Sequence, residues 1–224
     1  MKAVRNRQTS KREEAKKPIF IHISKTAGKS IKSYFGDRIQ YRGARSIDYT
    51  EKEWNLSRYK FTCVRHPLER WVSCYFFMHR VLNSHPGKDK CQRKLWQCVK
   101  SHGPTTTGIN EFTKFYLTGK HRFTGMTFNH KKPDRNNPDE ELFFPQYDWS
   151  FHPERPFDHV CKMEGLMKDM RFLTDILVAK DIPKFPHHNK TNHQRWEDVL
   201  TDKNIEILHT YYRSDFRQFG YKLK

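Results

Sequence analysis

The sequence of 224 residues predicts an α/β fold with a largely parallel central sheet flanked by helices in three layers, and three observations carry that expectation. Three short apolar runs each pass directly into a stretch with helical spacing, the strand-to-helix alternation of a parallel sheet. The first two runs lead into basic turns, and ligands of such sheets sit beyond the carboxyl ends of the strands. The third observation is bulk: 35% hydrophobic and 14% aromatic residues can fill one core, more than a disordered basic chain carries.

Residues 1–17 are polar and charged and read as a basic disordered tail, leaving 18–224 as a single domain. "PIFIHI", from Pro18, is nearly all apolar and rich in isoleucine, the composition of a strand buried on both faces. Its turn leads to "SIKSYF", where Ile31, Tyr34 and Phe35 have helical spacing. "YKFTCVR" (59–65) repeats the pattern, and Pro67 takes the first-turn position that proline favours, ahead of "LERWVSCYFFMHRV". The third run, "FDHVCKMEG", precedes "LMKDMRFLTDILV", with Leu166, Met170, Leu173 and Leu177 at helical intervals. Residues 83–110 and 118–156, rich in Pro, Gly, Asn, His and charge, read as long surface loops of the kind that cover a site. Near the end, Ile205, Leu208, Tyr212, Phe216 and Phe219 line one face of a docked helix before Gly220. Packing is the expected use of Trp54, Trp71, Trp96, Trp149 and Trp196.

Charge narrows the partner. With 43 Lys+Arg against 25 Asp+Glu, the formal charge of +18 points to a polyanion: nucleic acid, an acidic polymer or a multiply phosphorylated cofactor. No apolar run approaches the ~20 residues of a membrane helix and the N-terminus lacks an apolar signal core, so the expectation is a soluble, cytoplasmic chain without an anchor. Five cysteines, Cys63, Cys74, Cys91, Cys98 and Cys161, show no CxxC spacing; buried free thiols are expected and no metal is assigned. Cys91 and Cys98 with His102 form the weakest kind of metal hypothesis.

"IHISKTAGKS" (21–30) carries the first chemistry. An ATP-binding P-loop reads GxxxxGK[ST], and here Ile23 stands where its first glycine belongs. A β-branched residue resists the positive φ that glycine permits, and no strand ending in a magnesium-holding Asp is evident, so ATP is disfavoured. What remains is P-loop-like: Lys25, Thr26, Ala27, Gly28, Lys29 and Ser30 offer backbone N–H groups, hydroxyls and two ammonium groups at a helix N-terminus. An ordinary basic turn is the plain alternative. In "CVRHPLERWVSCYF", Arg65 ends the strand and Ser73 follows eight residues later, a guanidinium and a hydroxyl suited to a phosphate monoester. A surface ion pair and a polar helix-face residue are the plain readings there.

Together "IFIHISKTAGKSI" and "FTCVRHPLERWVSCYF" resemble the paired 5′-phosphosulfate and 3′-phosphate loops of sulfotransferases that use 3′-phosphoadenosine 5′-phosphosulfate, PAPS, with greatest similarity to the carbohydrate (Golgi-type) family and its soluble relatives. "FFPQYDW", "FDHVCKMEGLMKDMRFL" and "YYRSDFRQFGY" resemble later family segments in the same order, so the likeness spans roughly 18–221. The resemblance implies that Lys25 to Ser30 hold the 5′-phosphosulfate, that Arg65 and Ser73 hold the 3′-phosphate, and that Lys25 is catalytic. It implies no metal requirement and a hydroxyl acceptor on an acidic or neutral glycan. "HHNKTNH" (187–193) is similar to a segment near the nucleotide, beside the readings of a flexible basic loop or a metal cluster of His187, His188 and His193.

The chain departs from the family at the base. Relatives carry a His in a "GHAS"-like segment, and the matching "YRGARS" places Ala44 there. His102, Glu111 and His130 lie in or near the acceptor segments and are the candidate replacements, each with a surface role as its alternative. His22, on the first strand, reads as a packed core residue. Two competing functions stand beside sulfuryl transfer: an ATP-dependent kinase on a related loop, and a basic nucleic-acid-binding protein. The last explains the charge but not why basic residues follow two strands, which makes nucleic acid the less favoured partner.

Overall fold

The computed structural model describes residues 16–41, 45–84, 94–118, 142–177 and 194–223. Its strands are β1 (Ile19–Ile21), β2 (Gln40–Tyr41), β3 (Lys60–Val64) and β4 (His159–Lys162). Its helices are α1 (Gly28–Phe35), α2 (Glu51–Leu56), α3 (Pro67–Ser84), α4 (Lys94–His102), α5 (Thr106–Thr118), α6 (Gln146–Ser150), α7 (Leu166–Ile176), α8 (Trp196–Val199), α9 (Asp202–Tyr211) and α10 (Arg213–Phe219). They fall into two compact units, residues 1–65 with 150–189 and residues 66–149 with 190–224.

The first unit is α/β, as the sequence predicts. Its four strands are all parallel in the order β2-β1-β3-β4, and Ile21 stands opposite Thr62 across β1 and β3. One side of the sheet carries Phe20, Phe61, Cys63 and Cys161, packed with Ile31 and Phe35 of α1 and Met170 and Leu173 of α7. On the other, Ile19 and Ile21 meet Tyr49, Trp54 of α2 and Phe157. Both clusters use residues from β1, so the all-apolar "IFI" follows from burial on two faces. Thr50 and Glu53 close a capping box at the start of α2, the hydroxyl accepting from Glu53 N at 3.2 Å and the carboxylate from Thr50 N at 3.0 Å.

The second unit is helical among its described residues. Trp71, Val72, Tyr75 and Met78 of α3 form the centre of a core that takes Leu95, Trp96 and Val99 from α4, Ile109 and Phe112 from α5, and Leu208, Tyr212 and Phe216 from the C-terminal helices. Two buried polar groups inside it are paired: Trp71 Nε1 donates to Thr113 Oγ1 at 2.8 Å, and the Tyr212 hydroxyl donates to Phe143 O at 2.8 Å. Asp215 accepts from Gln146 N at 2.9 Å, Gln146 Nε2 at 3.0 Å and Tyr147 N at 2.8 Å, which anchors the first turn of α6.

Three expectations need correction. The segments 83–110 and 118–156 are not simply long loops, because α4, the first turn of α5 and α6 lie within them. Leu95, Trp96 and Val99 bury one face of α4, Gly103 ends it at φ 73, and Thr105 Oγ1 accepts from Gly108 N at 2.9 Å to start α5. A polar composition concealed an amphipathic period. The C-terminal face is also shared by two helices, with Tyr212 between α9 and α10, although Leu208, Tyr212, Phe216 and Phe219 are buried as expected. Strand β2 was not foreseen; two residues are too few for a period. The tail falls mostly outside the described residues, but Lys17 O accepts from Gln40 Nε2 and Ser57 Oγ, each at 2.9 Å. No helix among the described residues is long and apolar enough to cross a membrane.

Candidate functional site

The basic turn after β1 has a backbone its sequence would not choose without cause. Lys25 at φ 70 and Ala27 at φ 62 are both left-handed and neither is glycine, a conformation that costs roughly 1–2 kcal/mol per such residue. Left-handed Ala27 followed by helical Gly28 opens α1 with successive amides turned to one side, the concave arrangement that receives anions. Ala27 gives α1 no side-chain cap and the helix's first turn contains no acidic residue. Thr26 is fully buried and its hydroxyl donates to Ile23 O at 2.7 Å, bracing the turn from below; what Thr26 can still offer an anion is its N–H.

Gly28 is required by a neighbour the sequence reading did not connect with it. A Cβ at this position would lie 1.7 Å from His22 Cδ2 and 2.1 Å from His22 Nε2, far inside contact distance. His22 is packed, as the sequence predicts, and also wedges under the turn, with Nδ1 2.5 Å from the Tyr41 hydroxyl and its ring stacked on Tyr41 at 5.3 Å between centroids. Burial, then the charges of Lys29, Lys32 and Lys25, push the imidazole down to about 4, so it is neutral at pH 7. Tyr41 in turn lies under Lys32 Nζ, 4.4 Å from the ring centroid. A His at the end of a strand six residues before a Gly that opens a helix was the available signal.

Arg65 directly follows β3, the neighbour of β1, and the parallel register puts both basic positions beyond the same end of the sheet. Lys25 to Ser30 and Arg65 are therefore brought to one edge of the first unit. Ser73 belongs to α3 in the second unit. It is fully buried, and its Oγ has no hydrogen-bond partner among the described residues, although a helical serine ordinarily back-bonds to a carbonyl one turn earlier. An orphan hydroxyl buried in a helix is an uncommon expense, and a ligand oxygen would relieve it.

A family model described as the sulfotransferase family matches residues 10–222, nearly the whole chain. The chain belongs to the sulfotransferase family. Its activity is accordingly transfer of a sulfuryl group, and the four-stranded parallel sheet with flanking helices agrees with the family's P-loop-like fold. No curated protein and no solved structure matches it.

The features of this sulfotransferase fit the group the family ordinarily uses. A phosphosulfate needs backbone amides and ammonium groups at a helix start, and the left-handed turn that opens α1 supplies residues of that kind. The base candidates are less concentrated. His102 closes α4 with Nδ1 2.7 Å from Cys98 O and its ring against Phe112 and Phe115. Glu111 is exposed on α5, near enough for its charge to help raise the Tyr75 hydroxyl after burial has done so. His130 and Ala44 lie outside the described residues, as do Cys91, His187, His188 and His193. Cys98 Sγ is 3.9 Å from His102 Nδ1.

Proposed function

We propose that this sulfotransferase moves a sulfuryl group from PAPS to a hydroxyl of a carbohydrate-type acceptor. The observation that carries the reading is the left-handed turn at Lys25–Gly28, which gathers amides and ammonium groups at the start of α1, a helix with no acidic residue in its first turn. When bound, the cofactor supplies a sulfuryl group on a phosphate that leaves as negative charge builds on the bridging oxygen. Lys25 stabilises that charge with its ammonium, and Lys29, Ser30 and the amides of α1 fix the 5′ end against rotation. Arg65 and Ser73 hold the 3′-phosphate, the first by its planar fork and the second through its uncommitted hydroxyl. An acceptor hydroxyl must lose its proton as it bonds to sulfur, and His102 and Glu111 are the described residues from which that base would come. The excess of cations suits a polyanionic cofactor and an acidic glycan together.

Calorimetry with 3′,5′-bisphosphoadenosine tests the assignment. Wild type should bind it in the presence of a chelator, with Lys25→Ala and Arg65→Ala each weaker by about ten-fold or more. Absence of binding by wild type, equal binding by all three proteins, or a preference for ATP with magnesium would reject PAPS as donor. A panel of glycans then reads the acceptor by transfer of labelled sulfate.

A further inference from the structure

Away from the anion turn, the first unit holds three side chains whose chemistry the transfer reaction does not use. His159 and Cys161 stand two apart on β4, an outer strand of the sheet, and therefore share a face; Asp169 comes to them from the first turn of α7. One ligand atom from each, an imidazole nitrogen, a thiol sulfur and a carboxylate oxygen, lies within 4.8 Å of the other two. We infer that His159, Cys161 and Asp169 form a divalent transition-metal site, with zinc the cation their donor set favours.

The geometry needs little adjustment. Metal–ligand lengths of about 2.0–2.3 Å around a tetrahedral ion place ligand atoms roughly 3.3–3.6 Å apart. His159 Nε2 and Asp169 Oδ1 are already 3.0 Å apart, and the third atom lies at most 4.8 Å away, so a rotamer adjustment of the thiol completes the set. The other carboxylate oxygen accepts from Lys162 N at 3.0 Å, which fixes the plane of Asp169 and keeps Oδ1 turned toward the imidazole. Such outer hydrogen bonds are the usual means of aiming a ligand. Cys161 is sealed in the core, but the side chains of His159 and Asp169 remain 24% and 21% exposed, so an ion reaches the thiol from the solvent side. Nitrogen, sulfur and oxygen donors together match zinc better than magnesium or calcium, which take oxygen. A thiol held protonated by burial gives up its proton as the metal–sulfur bond forms. Three protein ligands leave a fourth position for water. Such an ion clamps α7 to β4 and is independent of the donor or acceptor of sulfuryl transfer.

The alternative is a His–Asp hydrogen bond that happens to lie beside a buried thiol, and cobalt separates the two. The full chain, stripped with a chelator and kept reduced with a phosphine, is titrated with Co²⁺ alone. The proposal expects one equivalent bound with thiolate-to-cobalt charge-transfer absorption and the strong visible bands of four-coordination, both erased by Zn²⁺. Cys161→Val should remove the charge-transfer band, and His159→Gln and Asp169→Asn should each weaken binding at least about ten-fold. His159→Gln keeps the core intact, so the test survives if the buried variant misfolds. Zinc should also raise the Tm of wild type by on the order of 5 °C at saturating excess and leave His159→Gln unmoved. No charge-transfer band in wild type, or a band of equal affinity in both Cys161→Val and His159→Gln, overturns the site.

Discussion

Gly28 and His22 are a single structural decision. Placing the imidazole under the turn leaves no room for a side chain above it, and placing glycine there lets the amides of α1 approach whatever the turn holds. Gly28→Ala should therefore cost about 1–3 kcal/mol of stability and abolish bisphosphoadenosine binding, read by urea unfolding and calorimetry on the same sample. Lys25→Ala should leave the urea midpoint nearly unchanged yet reduce kcat by about 10²–10³, the loss seen when a group that meets developing charge is removed. Activity that survives in Lys25→Ala would remove it from the chemistry. The candidate site residues come from "SKTAGKS" and "VRHPLERWVS", because side-chain chemistry and spacing are properties of sequence. His22 was read only as packing, since its partner Gly28 is defined by how the turn folds back, and no periodicity announces that.

Among the elements, strand-to-helix units were the most readable part and the helices of the second unit the least. Long apolar runs declare themselves, whereas α4 is written in "KLWQCVKSH", where three buried residues are surrounded by lysine, histidine and glutamine. The tie between α6 and α10 could not be read either, because Gln146 and Asp215 are 69 positions apart. That tie is testable. Asp215→Asn replaces one acceptor oxygen with a donor opposite N–H groups, and should lower stability by about 1–3 kcal/mol in the urea midpoint. Thr50→Ala, which breaks the capping box of α2, should cost about 1 kcal/mol, and a loss near zero would show that α2 is held by Trp54 alone.

At the scale of the whole molecule, two buried groups pull stability in opposite directions with pH. His22 sits at about 4 in the fold against 6.5 in the open chain, so below pH 6.5 the unfolded state binds the extra proton, and stability falls as pH drops from 6.5 to 4. Asp215 behaves oppositely. Burial pushes it up to about 6, against the pull of Tyr147, Gln146 and Arg70, so the folded state binds the extra proton and stability falls as pH rises from about 4 to 6. Each shift corresponds to roughly 3 kcal/mol, so their sum changes little while their locations differ. Hydrogen exchange at pH 4.5 and 7, corrected for intrinsic rates, should show the amides of β1 and α1 losing protection in acid and those of α6 and α10 keeping or gaining it. Parallel loss in both regions would reject the assignment. The left-handed pair in the turn has a last consequence, for which changes the chain will accept. Alanine and glycine are adjacent at 27 and 28, and exchanging either for the other is the smallest edit a side chain allows. Yet Ala27→Gly should be neutral or gain up to ~1 kcal/mol by relieving strain, whereas the reverse edit one residue later is barred; a saturation library should show tolerance and intolerance side by side.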